Sequence, residues 1–307
     1  MPVKVLAISK PREAAPLSRP RLPFWLKRDL GGGDTFVRVQ GLLVQQNLHT
    51  VCRSAKCPNL GECWNRGTAT FMILGDLCTR SCPFCAIEHA RPEPPDPEEP
   101  RRLAEAARGM GLKWVVVTSV NRDDLPDGGA SQFAEVVHEL RLALPDAGIE
   151  LLIPDFKKKK GALETILANP PDVLNHNLET VPRLYRKIRP GASYEWSLDL
   201  LKRFADAGLV TKSGLFVGIG EDLDELHRVL HDLREHGVRS LTVGQYLQAT
   251  KQNLQVTKFY HPDEFAALSE YARSIGFDHV AAGPFVRSSY RAEEAAEIYG
   301  IALKEAG

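Results

Sequence analysis

Past residue 85 the chain has no cysteine: all six thiols lie between 52 and 85, and residues 86–307 carry none. Net charge is missing as well, with 39 basic against 39 acidic side chains. No global field therefore draws the chain to nucleic acid or to an anionic membrane. No run approaches the ~18 apolar residues needed to span a bilayer, and the N-terminus lacks an apolar core of signal-peptide length. That N-terminus is rich in Arg, Lys and Pro and poor in acids, as transit peptides are. Pro11, Pro16, Pro20 and Pro23 would break the amphipathic helix a transit peptide needs. These absences describe a cytoplasmic protein with an irregular arm over 1–40, in a compartment where persistent disulfides are rare.

What is present is ordinary for a soluble globular protein with a sizeable core: 43% hydrophobic and 25% charged residues. Short β-rich runs recur at 71–74, 114–120, 149–154, 172–177, 214–220, 240–244 and 279–283. Segments with three- and four-residue apolar spacing lie between several of them, at 97–111, 130–144, 197–209, 224–237 and 262–276. Leu226, Val229, Leu230 and Leu233, for example, share one helical face. Serial strand–helix units imply a parallel sheet with helical crossovers. No Gly-rich dinucleotide fingerprint follows the first strand. The expectation is an α/β fold, a complete or partial TIM-type barrel of about six β/α units behind an N-terminal cluster-binding extension. In such barrels the chemistry gathers at the C-terminal strand ends.

The cysteines form two trios. Cys52, Cys57 and Cys63 have the spacing C-x4-C-x5-C, and Cys78, Cys82 and Cys85 the spacing C-x3-C-x2-C. Structural zinc wants four ligands, and taking four from two unequal trios strands two thiols. Iron–sulfur clusters, which thiolates commonly hold, fit better. A four-iron cluster on three cysteines keeps one iron without a protein ligand, a coordination site for something else.

"CTRSCPFC" (78–85) matches the C-x3-C-x-aromatic-C signature of the radical S-adenosylmethionine superfamily, with Phe84 as the aromatic residue. With "HTVCRSAKCPNLGECW", "RDDLPDGGA", "LLIPDF", "NHNLETVPRLYRKIRPGASY" and "GPFVRSSYRA", the chain resembles the lipoyl synthase family from about residue 40 to residue 291. The resemblance implies two [4Fe-4S] clusters and S-adenosyl-L-methionine as cofactors. Cys78, Cys82 and Cys85 would hold the cluster that chelates and reductively splits S-adenosylmethionine. Cys52, Cys57 and Cys63 would hold an auxiliary cluster, completed by Ser289. Read without the resemblance, Ser289 is a helix N-cap.

The implied reaction inserts two sulfur atoms, at carbons six and eight of a protein-bound octanoyl chain, with the auxiliary cluster as the sulfur source. The implied partners are octanoylated lipoyl carrier domains (2-oxoacid dehydrogenase E2 subunits, the glycine cleavage H protein) and an electron donor such as ferredoxin or flavodoxin. Neither nucleic acid nor membrane is implied. By the same likeness, Gly218 and Gly220 approach the adenine, Asn177 and Glu179 the ribose hydroxyls, and Arg189 the methionine carboxylate. His176 reads as structural.

The chain departs from the family pattern at Asn121, Ala249 and Asn253, and in the lysine run 157–160, a solvated loop or a docking patch for an acidic carrier. The implied division is arm 1–40, auxiliary-cluster segment 41–70, barrel 71–290 and a C-terminal helix 291–307. Other sulfur-inserting radical enzymes, a methylthiotransferase or a biotin-synthase-like enzyme, fit less well. A two-cluster electron carrier would not need so large a cysteine-free scaffold.

Overall fold

The structure, a computed structural model, describes residues 22–27, 32–299 and 301. The N-terminal portion contains helix α1 (Asp34–Gln45), strand β1 (His49–Thr50) and the short helices α2 (Val51–Ser54) and α3 (Leu60–Asn65). Strand β2 (Thr70–Ile73) follows, then a small two-stranded ribbon of β3 (Leu77–Cys78) and β4 (Glu88–His89). Next come α4 (Glu99–Met110), β5 (Trp114–Ser119), α5 (Ala130–Ala143), β6 (Gly148–Leu152), α6 (Ala162–Ala168) and β7 (Val173–Asn175). The chain continues through α7 (Pro182–Ile188), α8 (Tyr194–Asp206), β8 (Val210–Val217), α9 (Leu223–Glu235), β9 (Ser240–Gln245), α10 (Pro262–Ser274) and β10 (His279–Gly283).

The sheet runs β1-β2-β5-β6-β7-β8-β9-β10, every neighbour parallel except β1 against β2. Its seven parallel strands stand in chain order, as the strand–helix alternation of the sequence requires. β10 does not pair with β1 or β2, so the barrel is partial, as expected. Strands such as β5, with Trp114 to Val117 all buried, read as continuous apolar text because both faces are covered. The helices are held by local chemistry. In α9, Leu226, Val229, Leu230 and Leu233 are buried on one side, and Asp222 and Glu225 form a reciprocal capping box at its start.

Three regions differ from the sequence expectation. Helix α1 begins inside the segment read as an irregular arm, of which residues 1–21 and 28–31 lie outside the described residues. Helices α6 and α7, of seven residues each, fall short of the window over which helical spacing is read from a sequence. Where one C-terminal helix was expected, the described residues make two 3-10 turns, Ala292–Ala295 and Glu297–Tyr299; residues 302–307 lie outside the described residues. Ala292, Ala296, Tyr299 and Ile301 pack against Trp114, Val173 and Val210, which open β5, β7 and β8. The tail thereby closes the barrel floor.

Candidate functional site

Both cysteine trios face one cavity of about 580 Å³ that runs from the C-terminal strand ends at Ser119, Leu152 and Gln245 to Thr70 and Trp114, where β2 and β5 begin, within the size range of small-molecule sites. Cys52, Cys57, Cys63, Cys78, Cys82, Cys85, Phe84, Asn177, Glu179, Arg189 and Ser289 all line it. So do Asn121, Ala249 and His176.

The first trio is built on α2 and α3. The Thr50 hydroxyl caps α2, accepting from Arg53 N at 3.4 Å. Cys57 N donates to Cys52 O at 3.0 Å, and Cys63 N to Asn59 O at 2.9 Å. These turns gather thiols that lie apart in sequence. Burial, followed by the neighbouring Cys57, pushes the Cys52 thiol up to about 11, and burial with Cys52 and Cys57 pushes Cys63 up to about 12. Such thiols stay protonated unless a cationic centre offsets their charge.

The segment after β10 crosses the gap in the barrel to meet this trio. A Cβ on Gly244 would lie 2.1 Å from Val286 O, so the β9 backbone must be bare for that segment to pass. Asn59 Nδ2 donates to Phe285 O at 2.7 Å, and the Tyr290 hydroxyl donates to Glu62 at 2.7 Å. Arg66 pairs with Glu293 at 2.7 Å. Ser289 does not cap a helix: the 3-10 turn after it, Ala292–Ala295, has Arg291 at its N-cap position and no side-chain cap. Its oxygen instead accepts from Thr70 Oγ1 at 2.8 Å.

The second trio sits on the loop leaving β3. Arg80 N and Ile87 N donate to Cys78 Sγ at 3.4 Å and Cys85 Sγ at 3.5 Å, contacts suited to thiolates. Burial raises Cys82 to about 12, against the pull of Arg189, and Cys85 to about 11. The loop is clamped by Arg80, which is almost fully buried. Its guanidinium makes two bonds to Asp123, each 2.8 Å, and two to Asp155, of 2.9 and 2.6 Å. Burial alone would raise the Asp155 carboxyl, but the Arg80 bonds outweigh it and hold the group below the usual carboxylate range. On the other side, Asn253 Nδ2 donates to Cys85 O at 2.7 Å and Pro83 O at 3.3 Å. This departure from the family pattern thus supports the cluster loop.

Opposite the loop, Arg189 Nη1 donates to Asn177 O at 2.7 Å and to the Tyr185 hydroxyl at 2.6 Å. The Tyr185 hydroxyl lies 2.8 Å from Ser197 Oγ, which lies 3.0 Å from His176 Nε2; His176 Nδ1 reaches Ile153 O at 2.8 Å. A carbonyl only accepts, so a neutral His176 carries its proton on Nδ1. Polarity then runs from Arg189 through Tyr185, Ser197 and His176 to the β6 end. Burial, followed by the Arg189 charge, pushes His176 down to about 4, which supports its structural reading.

Asn177 Nδ2 donates to Glu179 at 3.1 Å and Ser288 Oγ at 3.3 Å, while its Oδ1 is buried without a partner. Burial raises Glu179 against the pull of Arg189. Phe84 packs on Phe216 at 4.8 Å between ring centroids, an apolar wall beside the thiols. Gly218 and Gly220 lie outside the cavity lining. Gly218, at φ +100°, has its amide held by Glu221 at 2.6 Å, and a Cβ there would meet Gln245 Nε2 at 2.3 Å. Its missing side chain answers to the strand-to-helix turn. The lysine run 157–160 also lies outside the lining, with Lys157, Lys158 and Lys160 exposed.

Sequence reasoning missed Thr70, Arg80, Asp123, Asp155 and Tyr185. The motifs T-R-S, R-D-D and P-D-F contained three of them, but no spacing rule says that an arginine and two aspartates so far apart share a site.

Buried thiols paired with backbone N–H donors, and an orphaned amide oxygen in the wall, suit iron–sulfur clusters and a polar ligand. Among the described residues no three His, Cys, Asp or Glu side chains are arranged to hold a single metal ion. A four-iron cluster differs, because each thiolate binds its own iron.

Comparisons with known proteins agree with this chemistry. Residues 72–233 match the radical SAM superfamily, and residues 8–57 match the N-terminal domain of lipoyl synthase of that family. The chain is 51% identical to the lipoyl synthase of Colwellia psychrerythraea over 96% of its own length and 90% of that protein's. It is 53% identical to that of Methylococcus capsulatus over 98% and 91%. Among solved structures, Streptococcus suis SuiB bound to S-adenosylmethionine is similar in fold, with TM-score 0.54 and 14% identity over 69% of this chain and 49% of SuiB. Methylornithine synthase is similar at TM-score 0.53 and 15% identity, over 72% and 73%. With its paired cysteine trios on a partial barrel, this chain belongs to the lipoyl synthase family of the radical S-adenosylmethionine superfamily.

Proposed function

We propose that the chain inserts two sulfur atoms into an octanoyl chain carried on a lipoyl carrier protein, with both trios serving one cavity. The observation that carries this reading is the shared lining: six thiols and the Ser289 hydroxyl face the same 580 Å³ space. In this reading Cys78, Cys82 and Cys85 hold the cluster that binds S-adenosylmethionine. Cys52, Cys57, Cys63 and Ser289 hold the auxiliary cluster. When bound, these groups supply one-electron cleavage of a sulfonium, a carbon radical that removes hydrogen from an alkyl chain, and sulfur.

The chain's own residues do the rest. Arg80, Asn253 and the two N–H···S bonds fix the second trio before any cofactor arrives. Arg189, steadied by Tyr185, offers a guanidinium face for a carboxylate. Asn177, with its unpaired Oδ1, and Glu179 can bind vicinal hydroxyls. Phe84, Phe216 and Tyr246 form an apolar side that keeps water from the reacting carbon.

The carriers we assign are 2-oxoacid dehydrogenase E2 subunits and the glycine cleavage H protein, and the electron donor a ferredoxin or flavodoxin. No helix among the described residues is long and apolar enough to cross a membrane. A cytoplasmic setting fits six reduced thiols.

The test is anaerobic reconstitution, counting of iron and sulfide, and reaction with an octanoylated lipoyl-domain peptide, S-adenosylmethionine and a strong reductant. Two four-iron clusters and a peptide gaining two sulfurs are expected. A single cluster, or cofactor cleavage without sulfur gain, would overturn the reading.

A further inference from the structure

Thr70 opens β2 at the edge of the gap in the barrel, only 5% exposed, with its backbone in register with Val116 of β5. Its β-branched side chain is stiff about χ1, and its strand is buried along its whole length. From there its hydroxyl donates to Ser289 Oγ at 2.8 Å, 219 residues away, and its backbone and side chain both lie against the Cys52 thiol. Among the described residues this is the one hydrogen bond made to the Ser289 oxygen. Ser289 itself sits on an irregular segment with no helix to cap.

We propose that Thr70 is the positioning residue for Ser289, holding its oxygen at the distance from Cys52 that the fourth ligand of the first trio's cluster requires. The inference rests on Ser289 being that ligand. A hydroxyl is a hard, weak donor to a thiolate-preferring cluster. Whether it binds at all is therefore sensitive to how its oxygen is placed. The Thr70 hydroxyl has one proton, which Ser289 Oγ or the Cys52 sulfur can accept. Thr70 thus links the Ser289 oxygen to the Cys52 side of the trio, between β2 and the segment after β10. Cys57 and Cys63 have their own backbone turns and do not need it.

The experiment uses the full chain with Cys78, Cys82 and Cys85 replaced by Ala, so that only the first trio can be loaded. After anaerobic reconstitution with iron and sulfide, the rate at which a chelator removes iron is measured. Thr70→Val should release iron about tenfold faster than the parent, the scale of one hydrogen bond to a charged group. Thr70→Ser should stay close to the parent rate. Thr70→Val combined with Ser289→Ala should be no faster than Ser289→Ala alone. Thr70→Ala repeats the comparison without any misfit of the extra valine methyl, and urea unfolding of the metal-free chains separates cluster loss from misfolding.

Faster release in Ser289→Ala but not in Thr70→Val or Thr70→Ala would overturn the positioning role alone. An unchanged rate in Ser289→Ala would overturn the ligand reading and this inference with it. Additive effects in the double variant would make Thr70 a structural residue and also overturn the inference.

Discussion

The two cysteine trios face the same cavity but are built on different physical terms. The second trio lies within eight residues of sequence, and its clamp is buried: the Arg80 side chain is 5% exposed and that of its partner Asp155 2%. The first trio is tied to the far end of the chain by neutral hydrogen bonds from buried Asn59 and Thr70, and by ionic groups nearer solvent, Arg66 with Glu293 and Tyr290 with Glu62. A site that keeps one coordination place open for a cofactor benefits from a rigid mount. A site that must lose sulfur during turnover benefits from a partner that can move. The contrast between a buried clamp and an exposed tie matches those two needs.

That contrast breaks most sharply at Arg80. Arg80→Met leaves the buried Asp155 without its cation and Asp123 with only the exposed Lys157 at 3.5 Å, and removing one partner of a buried ion pair costs about 3–5 kcal/mol. A fall of that size in the urea unfolding free energy of the metal-free chain is expected, together with loss of iron from the second trio. A change below about 1 kcal/mol would show that the clamp is not needed.

The next effect is one of pH. His176 is held neutral, pushed down to about 4 from an ordinary 6.5. Between those values the unfolded chain binds the extra proton, so His176 contributes stability that is full above about pH 6.5 and is lost as pH falls toward about 4. The loss is about 2 kcal/mol between pH ~6.5 and ~5. His176→Gln should flatten part of the acid slope of unfolding free energy. The remainder belongs in part to His279, which burial also lowers to about 4. An unaltered slope would show that His176 is not held neutral.

The smallest effect is at the exposed tie. Glu293→Gln removes an ion pair whose side chains are 41% and 33% exposed, and such pairs contribute about 0–1 kcal/mol. Unfolding should hardly change. A loss as large as that of Arg80→Met would erase the distinction between the two mounts.

Much of this was legible in the sequence for a physical reason. Parallel strands buried on both faces read as short apolar runs, so β2, β5, β6, β7, β8 and β9 stood out, and the half-buried β10 was read from its small apolar residues. The thiol spacings carried the chemistry directly, because loops that wrap a cluster are local. Other features depend on contacts between distant parts of the chain. Nothing near Arg80 in sequence announces Asp155, nothing near Thr70 announces Ser289, and within the tail read as a helix, residues 292–299 make two 3-10 turns packed against Trp114 and Val173. Gly218, which matches a cofactor motif, lies outside the cavity lining in a turn secured by Glu221.

The central claim is a division of labour between the trios, and one measurement addresses it. Replace Cys52, Cys57 and Cys63 by Ala in one full-length chain and Cys78, Cys82 and Cys85 in another, then reconstitute both. S-adenosylmethionine cleavage and sulfur gain on the octanoyl peptide are followed in the same reaction. The account predicts that the first variant still cleaves S-adenosylmethionine but adds no sulfur, and that the second does neither while retaining one cluster. Sulfur gain without the first trio, or cleavage without the second, would contradict it.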